Sequence, residues 1–174
     1  AMITETEAYK GFNDKASHAH KGRTRRTEVM FGEPGTIYIY LVYGMHHCLN
    51  LVCEKKDYPA AVLVRGVAEA SGPGRVCKYF KIDKKLNGRK LGRELWVEDR
   101  EIKVSRRKIQ VSKRIGVDYA GESRNRPWRF VLVSKWFRYA SRFPFSGELT
   151  RLQRLRLKQL ELRKQKLDFI RWYN

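Results

Sequence analysis

Glu5, Glu7 and Tyr9 stand at alternate positions near the start of the chain. In an extended segment, residues two apart share a face, so these three side chains would stand together. A carboxylate held beside an aromatic ring can serve as a general base. Local sequence alone favours a plainer alternative, a solvated strand face with a tyrosine packed over it. A second aromatic set follows at Tyr38, Tyr40 and Tyr43. It fits either a strand whose polar-tipped rings cover the edge of a core or a platform on which nucleic-acid bases stack. Arg65 is the one charged residue in Ala-Ala-Val-Leu-Val-Arg-Gly-Val. An interior charge needs a counter-charge, so Arg65 pairs either with Glu5 or Glu7, or with a phosphate of a ligand, which its planar guanidinium fits. Histidines cluster in Ser17-His18-Ala19-His20 and His46-His47, near Cys48 and Cys53. These spacings match no closed zinc site, and adjacent strand residues point opposite ways. No metal or cofactor is expected, and the histidines read as hydrogen-bonding groups.

The elements that would position these residues can be placed from pattern. Residues 3–9 have strand-like alternation, and 10–36 read as ordered loop with a few helical turns. In Gly35–Val42 the residues Ile37, Ile39 and Leu41 alternate with Tyr38, Tyr40 and Val42. Tyr43-Gly44-Met45 supplies a turn, and His46–Cys53 returns with Cys48, Asn50 and Val52 on one face. Ala60–Val67 is a β-branched run with the character of a buried strand. Ser71-Gly72-Pro73-Gly74 starts a helix that reaches about Ile82. Residues 83–93 read as exposed basic loop. Leu95–Val104, Lys108–Ile115 and Trp128–Ser134 have strand character. From Gly147 to Asn174, leucines at helical spacing and eight Lys/Arg against two acids from Arg151 onward predict a basic amphipathic helix.

Composition narrows the partners. The 174 residues carry 38 Lys+Arg and 18 Asp+Glu, a net charge of +20, with 42% hydrophobic residues. That is enough apolar material for a core, against wholesale disorder. No apolar run approaches the ~20 residues of a membrane span, and no secretion signal is present, so an intracellular protein with three free thiols is expected. Residues 1–66 hold nine Lys/Arg and seven Asp/Glu, leaving a balance of +18 for the rest. Such an excess attracts polyanions.

Several long segments, in order, resemble the alkyladenine (3-methyladenine) DNA glycosylase family. They are Ile3-Thr4-Glu5-Thr6-Glu7-Ala8-Tyr9-Lys10-Gly11, Asp14-Lys15-Ala16-Ser17-His18, the run from Met30 to Asn50, Ala61-Val62-Leu63-Val64-Arg65, Gly72-Pro73-Gly74, Arg114-Ile115-Gly116-Val117 and Pro127-Trp128-Arg129-Phe130. The resemblance implies a single α+β domain with a curved, mainly antiparallel sheet, flanking helices and a protruding hairpin that enters DNA. It implies a glycosylase-like domain over 1–146 and a basic helical tail over 147–174 that it does not cover. The family's helix and strand ahead of the Ile3 segment are missing here, which leaves the expectation of a sheet short of an edge.

By the same resemblance, the protein is a monomer that hydrolyses the N-glycosidic bond of alkylated or deaminated purines in double-stranded DNA, during base-excision repair. Glu7 is then the general base and Arg65 stands near the water and the target phosphate. Tyr9 faces Tyr40 and His18 across the extruded base, the His18 backbone N–H and Ala16 meet its edge, and Asn50 screens against guanine. Tyr43 fills the gap in the duplex, with Met45 and His46 in the minor groove. No lysine falls at a nucleophile position, so simple hydrolysis is expected. The competing expectation is a nucleic-acid-binding protein without catalysis, such as a truncated, inactive homologue. A ribosome-associated basic protein would explain the charge alone.

Overall fold

The computed structural model describes residues 1–133. The expected basic helix of 147–174 and Ser134, the end of the expected last strand, lie outside them. Seven strands are present among the described residues: β1 (Ile3–Lys10), β2 (Ile37–Val42), β3 (His46–Val52), β4 (Ala60–Val67), β5 (Ala70–Ser71), β6 (Ile109–Ser112) and β7 (Arg129–Leu132). They form one open sheet in the order β2-β3-β4-β1-β7-β6, with the short β5 paired to β4. Every pairing is antiparallel. One helix, α1 (Pro73–Tyr79), and short 3-10 segments complete the described chain.

The alternation read in the sequence appears as two different sheet faces. Ile37, Ile39, Leu49 and Val64 cluster with Val76 and Cys77 of α1. Tyr38 and Val52 point the other way, into a cluster with Ala19, Met30, Phe31 and Ala61 from the loop and β4. Strand β4 is buried along almost its whole length, as its unbroken β-branched run predicts. Proline at the start of α1 suits a helix opening, where its missing N–H costs nothing.

Strand β1 is flanked by β4 on one side and by β7 on the other over Glu5–Glu7. Its register with β4 shifts on both sides of Glu5. Opposite it stands Gly66, where an added Cβ would come within 3.0 Å of the Glu5 Cβ. Glycine at that point lets the two strands close up behind the Glu5 carboxylate.

One expected strand is absent. Residues 95–104 form no regular element, because a local turn captures the backbone there. The Asp99 carboxylate accepts the Glu101 N–H at 2.7 Å, and Glu101 adopts φ +59, which no strand residue does. Side-chain bonding of this kind competes with ladder formation. The expected strand over 108–115 is shorter, starting after a 3-10 turn at Arg106–Lys108.

Candidate active site

The polar face of the sheet borders a cavity of about 380 Å3, lined by residues from β1–β4, the 10–36 loop and the segment after β6. Period two explains the convergence. Tyr9 from β1, Tyr40 from β2, Cys48 and Asn50 from β3, and Leu63 and Arg65 from β4 all point to this side. Ala16, His18 and Arg26 close it from the loop, and Ile115, Gly116, Val117 and Tyr119 from the far side. An aromatic wall forms where His18 meets Tyr40 edge to face at 4.6 Å and Tyr38 lies 5.7 Å from Tyr40.

Glu7 lies behind Tyr9, Arg65 and Ile115, which line this cavity, and has no solvent exposure. Its Oε2 accepts the Tyr9 hydroxyl at 2.8 Å, and its Oε1 accepts the Ile115 backbone N–H at 2.8 Å. The Arg65 Nη1 stands 3.6 Å from the same Oε1. An ionised carboxylate offers about four lone-pair sites, so this grip fixes its orientation and still leaves room for another donor. Burial, with the negative Glu7 beside it, pushes the Tyr9 hydroxyl far above its ordinary pKa, so Tyr9 donates and does not ionise.

The two alternatives for Arg65 separate here. Its Nε donates to Glu5 Oε1 at 3.0 Å, and Arg129 Nε donates to the same oxygen at 2.7 Å. Arg65 therefore bridges Glu5 and Glu7 while one side of it borders the cavity. The plain reading of Glu5, Glu7 and Tyr9 as a solvated strand face is overturned, because Glu7 is wholly buried and held by Tyr9, Ile115 and Arg65.

Loop 14–20 presents its backbone in an ordered way. Asp14 accepts the N–H groups of Ala16, through Oδ1 at 3.2 Å, and of Ser17, through its carbonyl at 2.8 Å. The N–H of Ala19 is met by Ser17 Oγ and that of His20 by the Ser17 carbonyl. Among the described residues no acceptor meets the N–H of His18 between them. Asn50 is fixed differently, its Nδ2 donating to the carbonyls of Tyr38 at 3.3 Å and Cys48 at 3.2 Å. With both amide hydrogens engaged, its Oδ1 is the atom left for a ligand. Tyr40 and Cys48 stand opposite each other across the hairpin, and burial raises the pKa of both.

The hairpin tip is built otherwise. Tyr43 and Gly44 both take left-handed backbone angles, φ 52 and 70, the pattern of a tight turn whose twist suits the strands. Tyr43 is 87% exposed and Met45 is 68% exposed. Tyr43 also borders the cavity mouth, whereas Met45 and His46 do not line it. His46 packs against Gly74 at the start of α1, where an added Cβ would lie 3.2 Å from the His46 Cβ and 3.3 Å from its ring.

Sequence reasoning missed the residues that support this site from behind. Arg114 forks onto Asp14, Nη1 to Oδ2 at 2.6 Å and Nη2 to Oδ1 at 2.7 Å, and both side chains are fully buried. It also donates to the carbonyls of Ala8 and Ser123. Its guanidinium lies 4.7 Å from the Tyr9 ring centre and 5.1 Å from that of Trp128. Arg114 thus backs the Tyr9 ring, and the residue after it holds Glu7. The signal was a pair of separated motifs, Asp14-Lys15-Ala16 and Arg114-Ile115-Gly116, whose contact only the fold shows. Among the described residues no three His, Cys, Asp or Glu side chains gather as metal ligands, and no helix is long and apolar enough to cross a membrane.

Comparison with known proteins identifies the group. The model of the family described as methylpurine-DNA glycosylase matches residues 1–71 and 67–135. A protein of Methanocella arvoryzae, provisionally named 3-methyladenine DNA glycosylase, is 49% identical over 150 residues, covering 74% of each chain. Proteins given the same name are 39% identical in Clostridium perfringens, over 78% of this chain and 80% of the relative, and 40% identical in Desulfitobacterium hafniense, over 76% and 78%. The chain belongs to the methylpurine-DNA glycosylase family. It is accordingly a DNA glycosylase, a hydrolase that acts on N-glycosyl bonds, with DNA as its substrate.

Proposed function

We propose that the protein removes alkylated or deaminated purines, of the 3-methyladenine, hypoxanthine and ethenoadenine class, from double-stranded DNA after rotating the nucleotide into the cavity. One observation carries the reading. A wholly buried, oriented carboxylate is held by Tyr9 and Ile115, which line an aromatic-walled cavity of about 380 Å3 that an exposed tyrosine also borders. A base inside a duplex cannot reach such a site, so the nucleotide leaves the stack, as glycosylases generally require. Tyr43 occupies the gap it leaves, with Met45 and His46 toward the minor groove, and the wedge costs unstacking energy that protein contacts offset.

The extruded base lies between Tyr9 on one side and Tyr40 with His18 on the other, where aromatic faces attract an electron-poor or cationic purine. The unmatched N–H of His18 donates to the base edge, beside Ala16. Asn50, held rigidly by two carbonyls, presses on the same edge and disfavours guanine's exocyclic amino group. Glu7 orients the water that attacks C1′ and takes its proton, and its charge stabilises the positive charge that develops on the sugar. Arg65 fixes Glu5 and Glu7 relative to each other and turns its open side toward the target phosphate. The C1′–N bond breaks as the C1′–O bond forms, and the base leaves with the bonding electrons. The protein acts as a monomer in this reading.

The deciding experiment is single-turnover base release from duplexes containing hypoxanthine or ethenoadenine, for the wild type and Glu7→Gln. A positioned general base contributes about 10²–10⁴-fold. The variant should lose that much in rate while still binding the duplex. Wild-type rates in Glu7→Gln would remove Glu7 from the role. Binding without base release in the wild type would favour a non-catalytic protein.

A further inference from the structure

The register of β1 and β4 passes from Glu5 opposite Gly66 to Thr6 opposite Val64 and leaves Arg65 between the two pairs. An irregularity of this kind re-aims a side chain and is common beside active sites. Here the Arg65 Nε donates to Glu5 Oε1 at 3.0 Å, while its Nη1 stops 3.6 Å from Glu7 Oε1. The first contact is a hydrogen bond, and the second is an ion pair beyond hydrogen-bond reach. Arg129 holds Glu5 from the β7 side, donating through Nε to the same Oε1 at 2.7 Å and through Nη1 to Ser112 Oγ at 3.3 Å. Two carboxylates and two guanidiniums share the cluster, so its charges balance. The titratable groups that act on Glu7 are Tyr9 from its own strand, Tyr40 from β2, Cys48 from β3 and Arg65 from β4. Burial raises the pKa of Tyr9, Tyr40 and Cys48, which keeps all three neutral. Arg114, behind the Tyr9 ring, is matched by Asp14. Arg65 is thus the charge that bears on Glu7.

We propose that Glu5 is a positioning residue that holds Arg65 back from Glu7, so that Glu7 keeps an open lone pair for the attacking water. This deepens the reading above and rests on Glu7 being the general base. Two carboxylates compete for one guanidinium. With Glu5 uncharged, Glu7 becomes the only carboxylate paired to Arg65 among the described residues, and a mostly buried cation is costly to leave unmatched. Arg65 would then close the 3.6 Å gap and bond Glu7 directly. A charge-assisted bond there takes the lone pair that a water needs, and it stabilises the carboxylate, which makes it a poorer base. Tyr9 and Ile115 grip Glu7 through a hydroxyl and a backbone N–H, which orient it without bringing a full charge. Glu5 does not line the cavity, so it acts on the reaction through Arg65 and not by touching the substrate.

Glu5→Gln keeps the shape of the side chain and removes the charge that binds Arg65. Single-turnover release of hypoxanthine, with enzyme in saturating excess over the duplex, should slow about tenfold per folded molecule. The acid limb of its pH profile should move down by about one pH unit, because a carboxylate bonded to a cation stays ionised to lower pH. Arg129→Met should lower stability in urea but leave rate and profile per folded molecule unchanged, since Arg65 keeps its bond to Glu5. If Glu5→Gln alone does not fold, Glu5→Gln combined with Arg129→Met restores the charge balance and should show the same slow rate and displaced limb. In a crystal structure of the folded variant, an Arg65 Nη should lie within hydrogen-bond distance of Glu7. A Glu5 that serves stability alone would leave the acid limb in place. An unmoved limb, or an Arg65 that keeps its distance from Glu7, overturns the proposal. If the wild type releases no base, the functional reading fails by itself, and the position of Arg65 in the variant still decides whether Glu5 restrains it.

Discussion

The two faces of the sheet carry the same strands and do different work. One face, through Ile37, Ile39, Leu49 and Val64, packs dry against α1. The other, through Tyr9, Tyr40, Asn50 and Arg65, borders the cavity, with Glu7 buried beneath. Neighbouring residues of one strand thus serve stability and chemistry in turn. A register slip of one residue would exchange the two sets, so the pairing that builds the core also aims the site. The polar face gains rigidity from charge. Glu5 binds Arg65 and Arg129, and Asp14 binds Arg114 with no exposure of either. Ion pairs of this kind contribute little as replacements for apolar packing, but they are costly to break from one side. The apolar face is held by contact area, and the polar face by paired charges.

That contrast breaks most sharply at Asp14. In Asp14→Asn, Arg114 stays buried without its counter-charge, which costs about 3–5 kcal/mol. Urea unfolding should show a loss of that size. Base release should also fall in the population that remains folded, because Arg114 backs Tyr9 and Ile115 holds Glu7. A stability loss under about 1 kcal/mol would mean that the pair behaves as if solvated, and the difference drawn between the faces would collapse. The matching change on the other face is Ile37→Ala. It removes a side chain that is 1% exposed and should cost about 2–5 kcal/mol. Here the rate of base release per folded molecule should stay unchanged. A slower chemical step in Ile37→Ala would show that the dry face also sets the geometry of the site.

The sequence disclosed these two faces unequally. Alternation in β2 and β3 was legible because half of each strand is aliphatic and the other half polar-tipped, so a period of two is visible without any partner. Tyr9, Tyr40, His18 and Asn50 line one cavity, with Glu7 bonded to Tyr9 behind it, and the sequence speaks of their roles only through the family resemblance. Asp14 and Arg114 were invisible as a pair because a hundred residues separate them, and neither local spacing nor charge pattern marks a contact across the fold. Residues 95–104 misled for a different reason. Their β-branched and aromatic content promised a strand, but the turn at Asp99–Glu101 overrode that propensity. Arg65 lay between these cases, since burial demanded a partner that the strand alone did not name.

The smallest expected effect on stability falls at the hairpin tip, which belongs to neither face. Tyr43 holds φ +52 and is almost wholly exposed. A left-handed angle costs a non-glycine residue roughly 1–2 kcal/mol. Tyr43→Gly relieves that strain, but glycine gives up more chain entropy on folding, roughly 0.5–1 kcal/mol. The two nearly cancel, so unfolding should shift by no more than about 1 kcal/mol. Affinity for a duplex with an abasic site should drop distinctly in the same variant, because the wedge is gone and the strands that carry it are not. Unaltered affinity would take Tyr43 out of the duplex, and a large loss of stability would show that the tip helps to hold β2 and β3 together. The first result would leave a cavity with no device to keep the vacated stack open, and the second would make the tip part of the core that it stands outside.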